Sequence, residues 1–230
     1  MNVRVVAITQ SLLNDVPMTA EELIIYMARV SNPANQANVE TAPKLMRHCI
    51  KKKHWSVFDM ANLVVEVVTS RVVGTQILRH WSIKPQEFSQ RYAEVVEIEP
   101  IELRKQAESN RQGGEEVFNP WIKYIDDWTL TEYEGNANSI IESHVTTTKN
   151  LYKALIEAKT AKECARMILP MASQTTMYLN GSVRSWIHYL EQRCDLHAQK
   201  EHRLVAEEIK KIFTIHFPNI SEAIYSTQNQ

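Results

Sequence analysis

The strongest apolar run in the chain, Leu63 to Val68 (LVVEVV), is interrupted by Glu66. A membrane-spanning helix needs about 20 apolar residues in succession, so this run points to a soluble fold without a membrane span. Its β-branched residues, partly alternating over Ala61–Thr69, predict a strand. Val3–Thr9 has the same character, and Ala93–Ile101 is a third strand candidate. Helical patterns lie between and after them. Thr19 and Thr41 are placed to start helices over Ala20–Val30 and Ala42–Lys52, and Ser70 to cap one reaching about Trp81. Thr160 with Glu163 has capping-box spacing ahead of Cys164–Leu169, where Pro170 stops or bends the helix. The C-terminal third reads as mostly helical.

No repeat or linker divides the chain, and 230 residues, 44% hydrophobic and 23% charged, suffice for one sizeable core. The expectation is one α+β domain over residues 1–230. Arg104–Glu116, with Asn110, Arg111, Gln112, Gly113 and Gly114, reads as a mobile loop.

A formal net charge of -1 gives no global field for nucleic acid and leaves small anions as the expected partners of local arginine clusters. Cys49, Cys164 and Cys194 are dispersed, and polar Gln10–Asp15 follows the short stretch Met1–Thr9 at once, so neither a disulfide framework nor a signal peptide is expected. Both fit a reducing cytoplasm. His48, Cys49 and His54 diverge on a helix with no second ligand pair, so no metal is expected.

Five glycines, at 74, 113, 114, 135 and 181, make neither GxGxxG nor a P-loop. Phosphates would then be held by guanidinium groups, hydroxyls and helix N-termini. No GxSxG elbow or cysteine-nucleophile signature occurs. Ser89, flanked by Glu87 and Arg91, reads as a binding group and not a nucleophile.

Two stretches concentrate suitable side chains. In Arg79–Tyr92 (RHWSIKPQEFSQRY), helical spacing puts Gln76, Arg79 and His80 on one face, and Pro85 forces the chain out of helix so that Gln86–Arg91 can converge on a ligand. A solvated surface loop is the alternative. In Asn180–Arg193 (NGSVRSWIHYLEQR), Ser182 can cap a helix with Arg184 and His188 one turn apart. Arg193, nine residues after Arg184, falls about 180° away at roughly 100° per residue. That helix either separates two halves of a ligand site or is amphipathic with solvated arginines.

RHW, seven residues and then SQR resembles the RHR, seven residues, SxR signature of the flavin-dependent thymidylate synthases. HWSVFD at His54–Asp59 resembles that family's HxSxFE, ARMILP at Ala165–Pro170 its ARxxLP, and NRQGG at Asn110–Gly114 its NKQGS loop. RSWIHYLEQR followed by HAQKEHR is similar to its arginine-rich C-terminal block. These blocks run in order from about Ser31 to Arg203.

The resemblance implies a mainly antiparallel central sheet packed with several helices, assembled as a homotetramer with sites at subunit interfaces. It implies dUMP near Gln76, Arg79, Glu87, Ser89, Arg91, Arg166 and Arg193, with Arg193 as the catalytic group against the uracil. It implies FAD near Ser31, Ser56, Asp59, Arg79, His80, Trp81, Gln86, Glu87, Ser182, Arg184 and His188. Methylenetetrahydrofolate would be the carbon donor and NADPH the reductant, with no covalent nucleophile required.

Four positions depart from the pattern: Trp81 stands for the third residue of RHR, Asp59 for the commoner Glu, Gln86 where Asn is frequent and Ser182 where Asn is typical. Trp81 removes a cation and offers a stacking face. Two other readings predict different behaviour: a nonenzymatic nucleotide sensor would bind nucleotide without a chromophore, and a metal-dependent phosphohydrolase, which lacks any HExxH here, would lose activity to a chelator.

Overall fold

The computed structural model describes residues 1–13, 17–95, 97–108 and 110–225. The chain separates into two compact units, residues 1–68, 75–87 and 176–230, and residues 69–74 and 88–175. Helices and antiparallel sheets build both, as an α+β fold requires. No helix among the described residues is long and apolar enough to cross a membrane.

The first unit is organised by a four-stranded sheet in the order β1 (Asn2–Ile8), β2 (Asn62–Ser70), β8 (Gln174–Ser182), β3 (Lys84–Glu87). The β1–β2 pair is antiparallel, matching Arg4 to Glu66, with an irregularity between Val5 and Ala7. Glu66, the residue that breaks the apolar run, accepts from Arg4 Nε and Nη2 at 2.7 and 2.8 Å. Its neighbours Leu63, Val65 and Val67 point the other way and are fully buried, as period-two alternation dictates. Pro85 sits on the edge strand, opposite Leu179, where its missing N–H costs the sheet little.

Against the apolar face pack α6 (Val183–Arg193) and α7 (Lys200–His216), which bury Trp186, Tyr189 and Leu190 with Val205, Ile209 and Phe213. Trp186 Nε1 donates to the Leu63 carbonyl at 2.9 Å, giving the buried indole the partner it needs. The unit also holds α1 (Ala20–Ala28), α2 (Ala42–Lys51), a 3-10 turn at Trp55–Asp59 and α8 (Pro218–Tyr225). Thr19 caps α1 in a reciprocal box with Glu22. Thr41 precedes α2 but spends its hydroxyl on Arg29 Nη2, 2.6 Å away.

The helix after Ser70, α3, is only Arg71–Ile77 and does not reach Trp81. Ile77 is buried, and tight turns from Gln76 to Arg79 and from Ile77 to His80 carry the chain towards the edge strand.

In the second unit, α4 (Ala137–Glu157) is capped by Asn136 and follows a hairpin of β6 (Trp121–Ile125) and β7 (Glu132–Asn136). Arg104–Glu116 is not a loop throughout: β4 (Arg104–Gln106) pairs with β5 (Gly114–Val117), and Gln106 Nε2 donates to the Asn110 and Gly113 carbonyls. Ser109 of that segment lies outside the described residues.

The third expected strand reduces to one bridge, Ile98 with Ser173, flanked by hydrogen bonds of Glu99 and Gln174. Pro100 can add no further donor there, and Val96 lies outside the described residues. The expected Thr160–Glu163 capping box does not form. Lys159, at φ 63°, ends α4, and the Thr160 N–H closes that terminus onto the Leu155 carbonyl. The next helix, α5, is the four-residue Lys162–Ala165 with Ala161 at its N-cap; a 3-10 turn, Arg166–Ile168, follows before Pro170.

Candidate functional site

Ser182 ends β8 in an extended conformation and its Oγ accepts from the Ser185 N–H at 3.3 Å, so the strand passes directly into α6. The same hydroxyl donates to Asp59 Oδ1 at 2.8 Å, and Arg184 Nη1 lies 3.1 Å from Asp59 Oδ2. One carboxylate thus clamps the helix cap and the first-turn arginine. Beside it lies a cavity of about 470 Å³ whose lining includes Trp55, Asp59, Ser82, Arg184, Ile187 and His188. Its walls are aromatic and aliphatic on one part and on another carry Arg184 and hydroxyls beside the carboxylates of Asp59 and Glu191, and its size is that of an ordinary small-molecule site. His188 Nε2 lies 3.0 Å from the Gln192 amide nitrogen.

The opposite side of α6 carries Arg193, as its angular offset from Arg184 predicts. Its Nε donates to His80 Nε2 at 2.8 Å. His80 is buried and its ring meets Tyr189 edge-on at 4.8 Å between centroids. Burial, then the charge of Arg193 and the nearness of His188, lower its pKa to about 4. It is therefore a neutral imidazole, an acceptor at Nε2 with its proton on Nδ1.

Behind this pair runs a second set of polar contacts. Tyr189 Oη and His202 Nε2 are 3.0 Å apart, His202 Nδ1 and Gln76 Oε1 are 3.0 Å apart, and Gln76 Nε2 donates to Gln199 Oε1 at 2.6 Å. Gln199 Nε2 in turn donates to Glu201 Oε2 at 2.8 Å. Tyr189 and His202 are fully buried. Burial holds the His202 pKa down to about 3 and keeps the Tyr189 phenol well above its ordinary value.

Among the sequence candidates, Asp59, Ser182, Arg184 and His188 come together at or beside the cavity, and Gln76, His80 and Arg193 join the buried contacts. Arg79 and His80 do not share a face with each other. Because α3 stops at Ile77, His80 turns inward and Arg79 outward. Trp81 is 88% exposed. Gln86 and Glu87 are on β3, opposite Tyr178 and Met177. Ser31 and Ser56 are exposed and lie outside the lining of the cavity.

Ser89, Arg91 and Arg166 belong to the second unit. Ser89 is exposed and its carbonyl receives the Tyr92 and Ala93 N–H groups. Arg91 Nε lies 3.6 Å from Glu163 Oε2 with both side chains largely exposed, and Arg166 is half-buried in its 3-10 turn.

Sequence reasoning missed Trp55, Tyr189, Gln199, Glu201 and His202. One signal was present. His202 occupies the first place of the stripe completed by Val205, Ile209 and Phe213 on α7, and a histidine at an apolar position calls for a polar partner opposite.

The sequence pattern of the family described as thymidylate synthase complementing protein matches residues 12–219. A protein of Paramecium bursaria Chlorella virus 1, named a probable flavin-dependent thymidylate synthase, is 42% identical over 227 residues, covering 97% of this chain and 99% of its own. The flavin-dependent thymidylate synthase of Synechocystis is 40% identical over 228 residues, with the same shares covered. Among solved structures, the UMP/dUMP methylase PolB of Streptomyces cacaoi, bound with 5-Br dUMP, superimposes with a TM-score of 0.70 over 98% of this chain and 94% of its own. At 21% identity that likeness concerns the fold.

Proposed function

The chain belongs to the thymidylate synthase complementing protein family of flavin-dependent thymidylate synthases, and from that membership we propose that it methylates dUMP reductively to dTMP. Methylenetetrahydrofolate is the carbon donor, NADPH the reductant and FAD the cofactor, with no covalent enzyme nucleophile. The likeness to the viral and cyanobacterial relatives along nearly the whole chain carries this reading.

The donor set beside Asp59 fits a flavin dinucleotide. Arg184 and His188 suit phosphate and ring oxygens, Ser182 serves by holding Asp59 beside them, and Trp55 and Ile187 supply an apolar wall. Arg79, Trp81, Gln86, Glu87, Ser31 and Ser56 complete the assignment for this group together with His80, which is held on the Arg193 side of α6. The chemistry that the flavin supplies when bound is the relay of reducing equivalents and of the methylene carbon, which no side chain here offers.

The protein's part is positioning and electrostatics. In the first unit Gln76, Arg79 and Glu87 orient the nucleotide and Arg193 stabilises the electron-rich form of the uracil; in the second unit Ser89, Arg91 and Arg166 are groups suited to a nucleotide phosphate. Neutral His80 holds the Arg193 guanidinium by its Nε and leaves the Nη groups for the base. The reading takes residues 1–230 as one catalytic domain in the cytoplasm, assembled as a homotetramer whose neighbours complete each site.

The test is spectroscopic. The purified protein should take up FAD, turn yellow and be bleached by NADPH faster when dUMP is present. A protein that stays colourless with excess FAD overturns the assignment.

A further inference from the structure

The contacts of Tyr189, His202, Gln76, Gln199 and Glu201 form one chain, and its direction is dictated from one end. A carboxylate only accepts hydrogen bonds, whereas a side-chain amide has a donating and an accepting end. Glu201 therefore turns the Gln199 NH2 group towards itself, at 2.8 Å, and leaves Gln199 Oε1 facing Gln76. Gln76 must present its own NH2 there, at 2.6 Å, because the reversed amide would set two carbonyl oxygens against each other. Gln76 Oε1 then faces His202 Nδ1–H, and His202 Nε2 accepts from the Tyr189 hydroxyl. The two innermost members are fully buried, so a reversed bond has no water to relieve it. The amide of Gln76, half-buried in the last turn of α3, is thus held in one of its two orientations.

A primary amide carries two N–H bonds, and Gln199 takes one. We propose that Glu201, acting through Gln199 and with His202 behind, fixes the Gln76 amide so that its second N–H faces the nucleotide and meets an acceptor atom of dUMP. Glu201, Gln199 and His202 are positioning residues in this arrangement, and Gln76 alone touches the substrate. The inference rests on the reading that the site takes dUMP, and it adds what that reading lacks: which end of Gln76 the substrate meets, and what enforces it.

The test uses the flavin-loaded, full-length enzyme. Glu201→Gln keeps the shape but replaces an acceptor-only end with one that also donates, which frees the chain to run either way. The KM for dUMP should rise at least about twofold, the effect of halving the population with the right amide orientation, and up to about tenfold, the worth of one net hydrogen bond, where the reversed direction predominates, while kcat at saturating dUMP is unchanged. In a Gln76→Ala background, which raises KM by itself, Glu201→Gln should change KM no further, because its effect travels through Gln76. If Glu201→Gln fails to fold by circular dichroism, Gln199→Met breaks the same chain at a half-buried link and should give the same KM rise, again erased by Gln76→Ala.

A wild-type KM in the variant, or an effect undiminished in the Gln76→Ala background, overturns the proposal. Direct titration with dUMP separates this failure from the larger one. A wild type that binds dUMP beside a variant that binds it equally well removes only the orientation, whereas a wild type that binds no dUMP removes the nucleotide reading and this inference with it.

Discussion

The Nε of Arg193 donates to Nε2 of His80 across 2.8 Å, tying the last residue of α6 to the turn that follows α3. The contact exists only while His80 is neutral, since a protonated imidazole would set an N–H against an N–H.

This requirement predicts how stability depends on pH. His80 and His202 have folded pKa values of about 4 and about 3, against an ordinary 6.5, chiefly through burial. Between those values the unfolded chain binds more protons than the native one, so stability rises with pH. The contribution is complete above about pH 6.5 and is lost as pH falls through that value towards 4. The urea midpoint should therefore drop steeply from pH 6.5 to 4.5, and His80→Gln should make the drop shallower. A midpoint equally pH-dependent in wild type and His80→Gln would show that this histidine is not held neutral.

Arg193→Ala separates substrate chemistry from cofactor binding. The variant deletes the cation that we propose faces the uracil but leaves Asp59, Arg184 and His188 untouched on the other side of the helix. Methyl transfer should fall by about 100- to 1,000-fold or more, the usual cost of a lost charge-stabilising donor, while the FAD dissociation constant stays within about threefold. Parallel loss of both would place Arg193 on the flavin side.

These two predictions use a helix whose chemistry was legible in the sequence, because the angular positions of Arg184, His188 and Arg193 follow from 3.6 residues per turn once Ser182 is taken as its cap. The Asp59 clamp was not legible in the same way. Asp59 meets Ser182 and Arg184 across 123 and 125 residues of sequence, and no local period links them. The end of α3 was misjudged for a related reason. Propensity allows the helix to continue past Ile77, but burying His80 against Tyr189 and Arg193 turns the chain, a tertiary preference that local pattern does not carry. The Tyr189 to Glu201 chain lies further out of reach, since its direction depends on five side chains being adjacent in space.

The Asp59–Arg184 pair should matter for ligand and little for stability. Both side chains are more than a third exposed, 38% and 51%, and such pairs contribute about 0 to 1 kcal/mol. Arg184→Ala should thus leave thermal stability nearly unchanged yet weaken FAD about 10- to 100-fold through loss of a charge-assisted hydrogen bond. Asp59→Ala releases the guanidinium and the Ser182 hydroxyl together, so it should disturb FAD binding and fray the start of α6. Isothermal titration beside thermal melts checks both, and a large loss of stability with unchanged FAD affinity would make the pair structural.

Trp81 is the most exposed aromatic near the site, at 88%, one residue before Ser82, which lines the cavity. Its backbone is held, with Lys84 Nζ donating to the Trp81 carbonyl at 2.8 Å, but its side chain contributes almost nothing to the core. Trp81→Arg should therefore change stability by no more than about 0.5 kcal/mol. The substitution adds a cation close to the lining that holds Arg184, and a flavin dinucleotide carries a negative diphosphate. Affinity for FAD should tighten several-fold, and the gain should shrink as salt is raised, because exposed charges are screened over about 10 Å at 0.1 M ionic strength. If Trp81 instead stacks on the flavin ring, Trp81→Arg weakens FAD and the loss is insensitive to salt. Titration at two ionic strengths tells these apart, and an affinity unchanged at both takes Trp81 out of the cofactor site.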